Sequence, residues 1–249
     1  MSDDSLTDFG FRSVPVTEKA GRVRRVFESV ATRYDLMNDL MSLGVHRLWK
    51  RAAINRMRLR AGHSVLDLAS GTGDLATMAL DRVGAAGEVV MSDVNSAMLG
   101  VGRDRMIDAG YLSNLHVVQA DAERLPFPES SFDAVSIAFG LRNVTDKGRA
   151  LSEMRRVVRP GGRVVVLEFS KVVVPLLERL YDLYSFEVIP RLGGVVTGDR
   201  DSYRYLVESI RRHPDQQTLR CMFADAGLER CGYDNLSAGV VAIHYGDRL

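Results

Sequence analysis

The sequence predicts an α/β domain with a seven-stranded, mostly parallel sheet, helices on both faces and a helical addition ahead of the sheet. Three observations lead there. Between residues 64 and 169, short apolar runs alternate with segments of helical period. Glycine, proline or a polar cluster punctuates most of the changeovers. The first apolar run ends in a glycine-rich loop that opens directly into a helix.

The elements follow in order. Residues 1–21 are polar and without period, and they are expected to form a flexible arm. Residues 22–60 read as N-terminal helices: Val23, Val26, Phe27 and Val30 fall at i, i+3, i+4 and i+7, and a second helical stretch runs from Val45 to Met57. Ser64–Ala69 is the first strand of the core, and Asp74–Val83 is a helix closed by Gly84 and Gly87. Strand Glu88–Val94, helix Ser96–Ala109 and strand Leu115–Ala120 come next. After the turn Leu125–Pro128, strand Phe132–Phe139 leads to helix Asp146–Val158, the turn Arg159–Gly162 and strand Arg163–Phe169. Residues 170–226 form a helical substrate-side region, with helices over about Pro175–Leu192 and Thr218–Ala226 joined by a connector, and Gly227 capping the second. Leu228–Tyr233 and Val240–Tyr245, within 227–249, complete the sheet with an antiparallel edge. Residues 22–249 thus form one domain whose core is 64–169, and no internal repeat is visible.

Composition narrows the class. The 249 residues are 46% hydrophobic and 26% charged, which suits a globular chain with a buried core. A formal net charge of +1 lacks the clustered basic excess of nucleic-acid binders, so no nucleic-acid partner is expected beyond local patches such as Arg22, Arg24 and Arg25. The two cysteines, Cys221 and Cys231, show no metal-ligand spacing, so no metal is expected and both read as free buried thiols of a reducing compartment. The N-terminus lacks the basic and apolar regions of a secretory signal, and no apolar run reaches the roughly 18 residues of a membrane span. The expectation is a cytoplasmic protein.

The first strand ends in Asp67-Leu-Ala-Ser-Gly-Thr-Gly-Asp74. Gly71 and Gly73 let the backbone approach a nucleoside with no Cβ in the way. A lone G-x-G is weak evidence, but strand before and helix after make this the Rossmann-like context. Asp93, twenty positions beyond Gly73 at the next strand end, suits ribose hydroxyls. Ala76 is a permissive third position, so the glycines alone leave NAD open. Asp67 and Asp74, however, would repel a pyrophosphate and attract the positive S-adenosylmethionine (SAM), which makes SAM the expected co-substrate. Asp67, Ala69, Gly71, Thr72, Gly73, Asp93 and Val94 are the expected donor-binding residues of this region. Asp121 and Ala122 after the third strand suit the adenine, and Ala138 flanks the cofactor or is simply a core alanine.

Further segments carry a specific likeness: Val26–Ser42 (VFESVATRYDLMNDLMS), His46–Lys50 (HRLWK), Phe139–Asp146 (FGLRNVTD) and Asp201–Gln216 (DSYRYLVESIRRHPDQ). From about Phe9 onward the chain resembles the ubiquinone/menaquinone biosynthesis C-methyltransferases. Two departures are Ser70, where that family's loop would carry a third glycine, and Ala138, where a member can carry serine. The resemblance implies C-methylation of a polyprenylated quinol ring: demethylmenaquinol to menaquinol, a 2-methoxy-6-polyprenyl-1,4-benzoquinol, or both. It also implies that Asp67–Gly73, Asp93 and Asp121–Ala122 bind SAM.

Ring-carbon attack needs an ionised ring hydroxyl, which a phenolic pKa near about 10 makes scarce at neutral pH. Arg142 and Asn143, just past the fourth strand, are the expected catalytic residues: Arg142 to lower the quinol pKa or orient a water, Asn143 to donate a hydrogen bond. The alternative for Arg142 is a structural pair with Asp146 or another acid. Tyr34, His46, Tyr181 and His213 are open candidates for the base or for partners of the ring. Val172–Val196 is core helix, a homodimer contact or a wall for the isoprenoid tail, and a lipid-soluble substrate makes peripheral contact with the inner face of the membrane a further expectation. An O- or N-methyltransferase for another small molecule is the main rival, followed by a nucleic-acid methyltransferase, a nicotinamide oxidoreductase and a non-catalytic SAM sensor.

Overall fold

The structure is a computed structural model that describes residues 5–30, 39, 42, 44–111, 113–173 and 200–249. A hairpin comes first, β1 (Leu6–Phe9) and β2 (Arg12–Pro15), followed by helices α1 (Val16–Val30) and α2 (His46–Arg56). The core then runs β3 (Ser64–Leu68), α3 (Asp74–Val83), β4 (Glu88–Asp93), α4 (Ser96–Asp108), β5 (Leu115–Gln119), β6 (Phe132–Ala138), α5 (Lys147–Val157) and β7 (Val158–Phe169). Helices α6 (Arg200–Arg212) and α7 (Gln216–Asp225) precede β8 (Glu229–Leu236) and β9 (Val241–Asp247).

The seven-stranded sheet has the order β5-β4-β3-β6-β7-β9-β8. Strands β5, β4, β3, β6 and β7 are parallel, while β9 runs antiparallel to both its neighbours, so the reversed strand lies inside the edge rather than on it. The chain steps outward from β3 to β4 and β5, then crosses back to β6 on the other side of β3. That reversal leaves a crevice beyond the carboxyl ends of β3 and β6, where ligands of such sheets bind.

Burial of both sheet faces explains the near-continuous apolar strands. One face packs Trp49, Ala53, Ile54, Leu75, Leu80 and Leu206, and the other packs Leu151, Met154, Leu219 and Phe223. Three helices, α4, α5 and α7, start on side-chain caps: Asn95 accepts from the Ala97 and Met98 N–H groups, Asp146 from Arg149 and Asp215 from Thr218.

Four expectations are corrected. The arm over 1–21 is, from Leu6 on, the hairpin and the start of α1, because its few apolar residues are held: Phe9 stacks on Tyr205 at 4.2 Å between ring centres, and the Phe11 N–H donates to Glu208. Arg159–Gly162 is not a turn before the strand but a bulge within β7. Pairing passes from Val158–Phe132 to Arg163–Ala134, and Gly161 (φ 84°) donates to the Arg248 carbonyl. Helix α6 occupies part of what reads as a connector; Tyr203, Leu206, Val207 and Ile210 form its buried face, a period masked by dense charge. The cysteines are free, but Cys221 is exposed and Cys231 half-buried. The expected helix over Pro175–Leu192 lies outside the described residues.

Candidate active site

The crevice is a cleft of about 890 Å³, solvent mouth included, at the carboxyl ends of β3, β4 and β6. Its floor is the glycine loop. Ser70 N–H donates to the Ser92 carbonyl and Gly73 N–H to the Ser70 carbonyl, folding the loop back on β4. The left-handed residues are Ala69 (φ 48°), Gly71 (φ 54°) and Gly73 (φ 85°). Ser70 does not need the glycine it replaces, since its backbone stays outside the positive-φ region.

Asp93 ties the loop to β4. Its Oδ2 accepts from the Gly71 N–H at 3.0 Å and its Oδ1 from the Asn95 N–H at 2.9 Å. Burial raises its pKa, while the backbone donors at Asn95 and Gly71 act to lower it. Each carboxylate oxygen accepts more than one hydrogen bond, so capacity remains for a diol. Ala69, Gly71, Asp93, Val94, Asp121, Ala122 and Asn143 all line this cleft, with α1 contributing Val23 and Phe27 to the opposite wall. The expected cation patch on α1 is largely paired: Arg22 bonds Glu18 at 2.8 Å, and Arg24 faces Glu28 at 3.7 Å.

A second, smaller pocket shares Ala69 and Phe139 with the cleft and is lined by Lys50, Asp67, Ser70, Thr72, Asp74 and Ala138. Phe139 is also left-handed (φ 55°), and a Cβ on Gly140 would lie 2.4 Å from the Ala69 Cβ. Two adjacent strands therefore end in strained, closely packed turns where the pockets meet. Asp67 is 1% exposed; its Oδ1 accepts from Ser136 at 2.7 Å, while Oδ2 is buried without a partner among the described residues. Burial pushes its carboxyl up to about 7, against the Ser136 hydrogen bond and the Lys50 charge. Asp74 behaves oppositely. Burial would raise it, but Lys50 Nζ at 2.7 Å and Arg105 at 2.8 Å together hold it below the usual range. Its charge is thus neutralised, and it gives less repulsion toward phosphate than its sequence position suggests.

Gly73 lines neither pocket. It is the left-handed N-cap of α3, packed so that a Cβ would meet Met106 Cε at 2.6 Å and Met91 Cε at 2.9 Å. Arg142 is also absent from both. Its guanidinium is buried against Glu168 Oε1 at 2.8 Å and donates to the Phe139 carbonyl, and its backbone N–H donates to Glu168 Oε2. The structural alternative thus describes Arg142, with Glu168 rather than Asp146 as partner; Asp146 caps α5 instead. Asn143 stays in the cleft, its Oδ1 accepting from the Tyr205 hydroxyl at 3.0 Å. His46 bonds Asp39 at 2.9 Å and His213 is buried with its pKa driven well below normal by burial; neither lines a pocket. Tyr34 and Tyr181 lie outside the described residues.

Sequence reasoning missed Lys50, Glu168 and Tyr205. Two of them carried a signal: Lys50 sits on the buried stripe His46, Trp49, Ala53, Ile54 of α2, and Glu168 interrupts the apolar run of β7.

The fold recurs in solved structures of known proteins. The chain superposes on a SAM-dependent methyltransferase from Aquifex aeolicus (TM-score 0.62, 18% identity, 86% of this chain and 98% of that one) and on a possible histamine N-methyltransferase from Thermotoga maritima (0.64, 19%, 90% and 99%). The family follows from sequence: residues 15–248 match the ubiE/COQ5 methyltransferase family, and the chain belongs to it. It is 58% identical over 246 residues, 99% of each chain, to the ubiquinone/menaquinone biosynthesis C-methyltransferase of Hahella chejuensis, and 57% identical over 243 residues to that of Coxiella burnetii, covering 98% of this chain and 97% of that one. It is a SAM-dependent methyltransferase.

Proposed function

We propose that this enzyme transfers the SAM methyl group to a ring carbon of a polyprenylated quinol, demethylmenaquinol, the methoxy-polyprenyl-benzoquinol, or both. The observation that carries the reading is the cleft at the sheet's switch point, whose Asp93 is anchored on the glycine loop, in a chain of this family. In this reading Asp93 holds the ribose, Asp121 and Ala122 flank the adenine, and Ala69, Thr72, Ala138 and Asp67 surround the methionyl arm. The ring carbon attacks the donor methyl, the sulfonium leaves as a thioether, and the carbon then loses its proton to water at the cleft's solvent mouth. Asn143 in the cleft supplies a hydrogen bond to the ring hydroxyl. Arg142 acts through position: clamped by Glu168, it fixes the Phe139–Asn143 turn rather than touching the ring.

Among the described residues no helix is long and apolar enough to cross a membrane; uptake of the lipid-soluble acceptor at the membrane surface is part of this proposal. Incubation with labelled SAM and each demethylated quinol separately, followed by mass analysis, tests the proposal. A ring-methylated product is expected from at least one; methylation on oxygen, or none, would refute it.

A further inference from the structure

Asn143 lines the cleft with one end of its amide already engaged. Its Oδ1 accepts from the Tyr205 hydroxyl at 3.0 Å, and its Nδ2 has no partner among the described residues. The two ends differ in kind, since the carbonyl accepts hydrogen bonds and the NH2 donates them. The phenol has a single hydrogen to give, and burial holds its pKa above the ordinary 10, with Arg142 acting to lower it and Glu168 to raise it. Tyr205 is therefore a donor at every working pH, and Asn143 Oδ1 is its acceptor among the described residues. The ring is held in place: Tyr205 is buried on α6 beside Tyr203 and Leu206, and it stacks on Phe9 with planes 20° apart. Neither Tyr205 nor Phe9 lines a pocket, so any effect of this pair on the cleft passes through Asn143.

We propose that Tyr205 is a positioning residue for methyl transfer: by engaging the carbonyl end of the Asn143 amide, it turns the NH2 end toward the ring oxygen of the acceptor. This rests on the contact between Asn143 and the ring hydroxyl given above. The direction of the amide decides what that contact does. A carbonyl facing the ring would accept the hydroxyl hydrogen and hold the acceptor neutral. An N–H facing it favours the ionised oxygen, the form from which the ring carbon attacks. Without the phenol, nothing selects between the two ends. Phe9 comes from the hairpin and Tyr205 from α6, so two elements outside the strand–helix core set the orientation of a group in the cleft.

The test is the anaerobic single-turnover rate with whichever demethylated quinol the wild type methylates, followed from about pH 6 to about pH 9.5. It compares wild type, Tyr205→Phe, Asn143→Ala and the double variant. Tyr205→Phe keeps the ring and its stack on Phe9. Near pH 7 its rate is expected to fall about 10-fold, with the rising limb moved up by about one pH unit and the two profiles converging at high pH. Affinity for S-adenosylhomocysteine should stay within about twofold, which reports an intact cleft. Lys19, held at about 8 by burial, and Lys147 both donate to the neighbouring Val144 carbonyl; they titrate in every chain, so the displacement between profiles is what is read. Asn143→Ala is expected to cost about 100-fold, and adding Tyr205→Phe to it to change the rate less than about twofold. A uniform loss at every pH, losses that multiply in the double variant, or no loss at all would each overturn the inference. Should Tyr205→Phe not fold, Tyr205→Met carries the same comparison. Full turnover by Asn143→Ala would instead refute the ring contact of Asn143 and this inference with it, and wild type that methylates neither quinol would refute the proposed function itself.

Discussion

Replacing Asp67 with asparagine removes a charge that the pocket holds at a cost. In the fold the Asp67 carboxyl titrates near 7 rather than its ordinary 3.8, because burial outweighs the Ser136 hydrogen bond and Lys50. Asp93 on β4 and Asp74 on α3 raise it further. A group whose folded pKa is raised binds its proton in the native state after the unfolded chain has released it. Stability is therefore complete below about pH 4 and declines as pH rises toward 7. About three pH units at about 1.4 kcal/mol each give roughly 4 kcal/mol by about pH 8. For a chain of this size that is on the order of 10 °C in Tm. An asparagine side chain would keep an oxygen for Ser136 and cannot ionise, so the Asp67→Asn chain should gain on wild type steadily between about pH 4 and 7, then run parallel. Scanning calorimetry of both chains from about pH 5 to 8.5 reads the divergence. S-adenosylhomocysteine, whose ammonium favours the ionised form, should narrow the gap for wild type at about pH 8 while binding the variant poorly. Tm profiles that stay parallel across the whole range would refute the reasoning.

Four further outcomes are expected. Asp93→Ala removes the Gly71 tether together with the carboxylate proposed to hold the ribose, and should weaken S-adenosylhomocysteine at least about 10-fold by calorimetry, at about 1.5–3 kcal/mol per charged hydrogen bond; unchanged affinity would displace the nucleoside from this cleft. Glu168→Ala leaves the Arg142 guanidinium buried without its anion, a loss of about 3–5 kcal/mol that thermal melts should register as a drop of roughly 6–20 °C, with quinol turnover falling as the Phe139–Asn143 turn loosens. Gly73→Ala forces a left-handed alanine (φ 85°) at about 1–2 kcal/mol and pushes on the flexible ends of Met106 and Met91, so both Tm and donor affinity should fall. Gly84→Ala, with open space around its Cβ, should lower Tm alone, as melts and donor titration together would show.

Much of the core could be read locally. The helix Asp74–Val83 has its expected ends, and the strands Ser64–Leu68, Glu88–Asp93 and Phe132–Ala138 stop within one residue of theirs. Period, caps and glycine punctuation are short-range properties, and a parallel sheet buried on both faces writes them plainly. Asp93 was legible for the same reason: a strand end a fixed distance after a glycine loop has few places to go. The hairpin was hidden because four-residue strands carry little pattern, and Phe9 finds Tyr205 only through the folded chain.

Sequence alone predicted the strands, the glycine loop and Asp93 at the end of the next strand, since these follow from neighbours along the chain. Partner choice among charges was decided only in three dimensions. Arg142 chose Glu168, 26 residues away, and Lys50 chose Asp74, 24 residues away, because desolvated ions are stable only beside an opposite charge and the topology determines which one arrives.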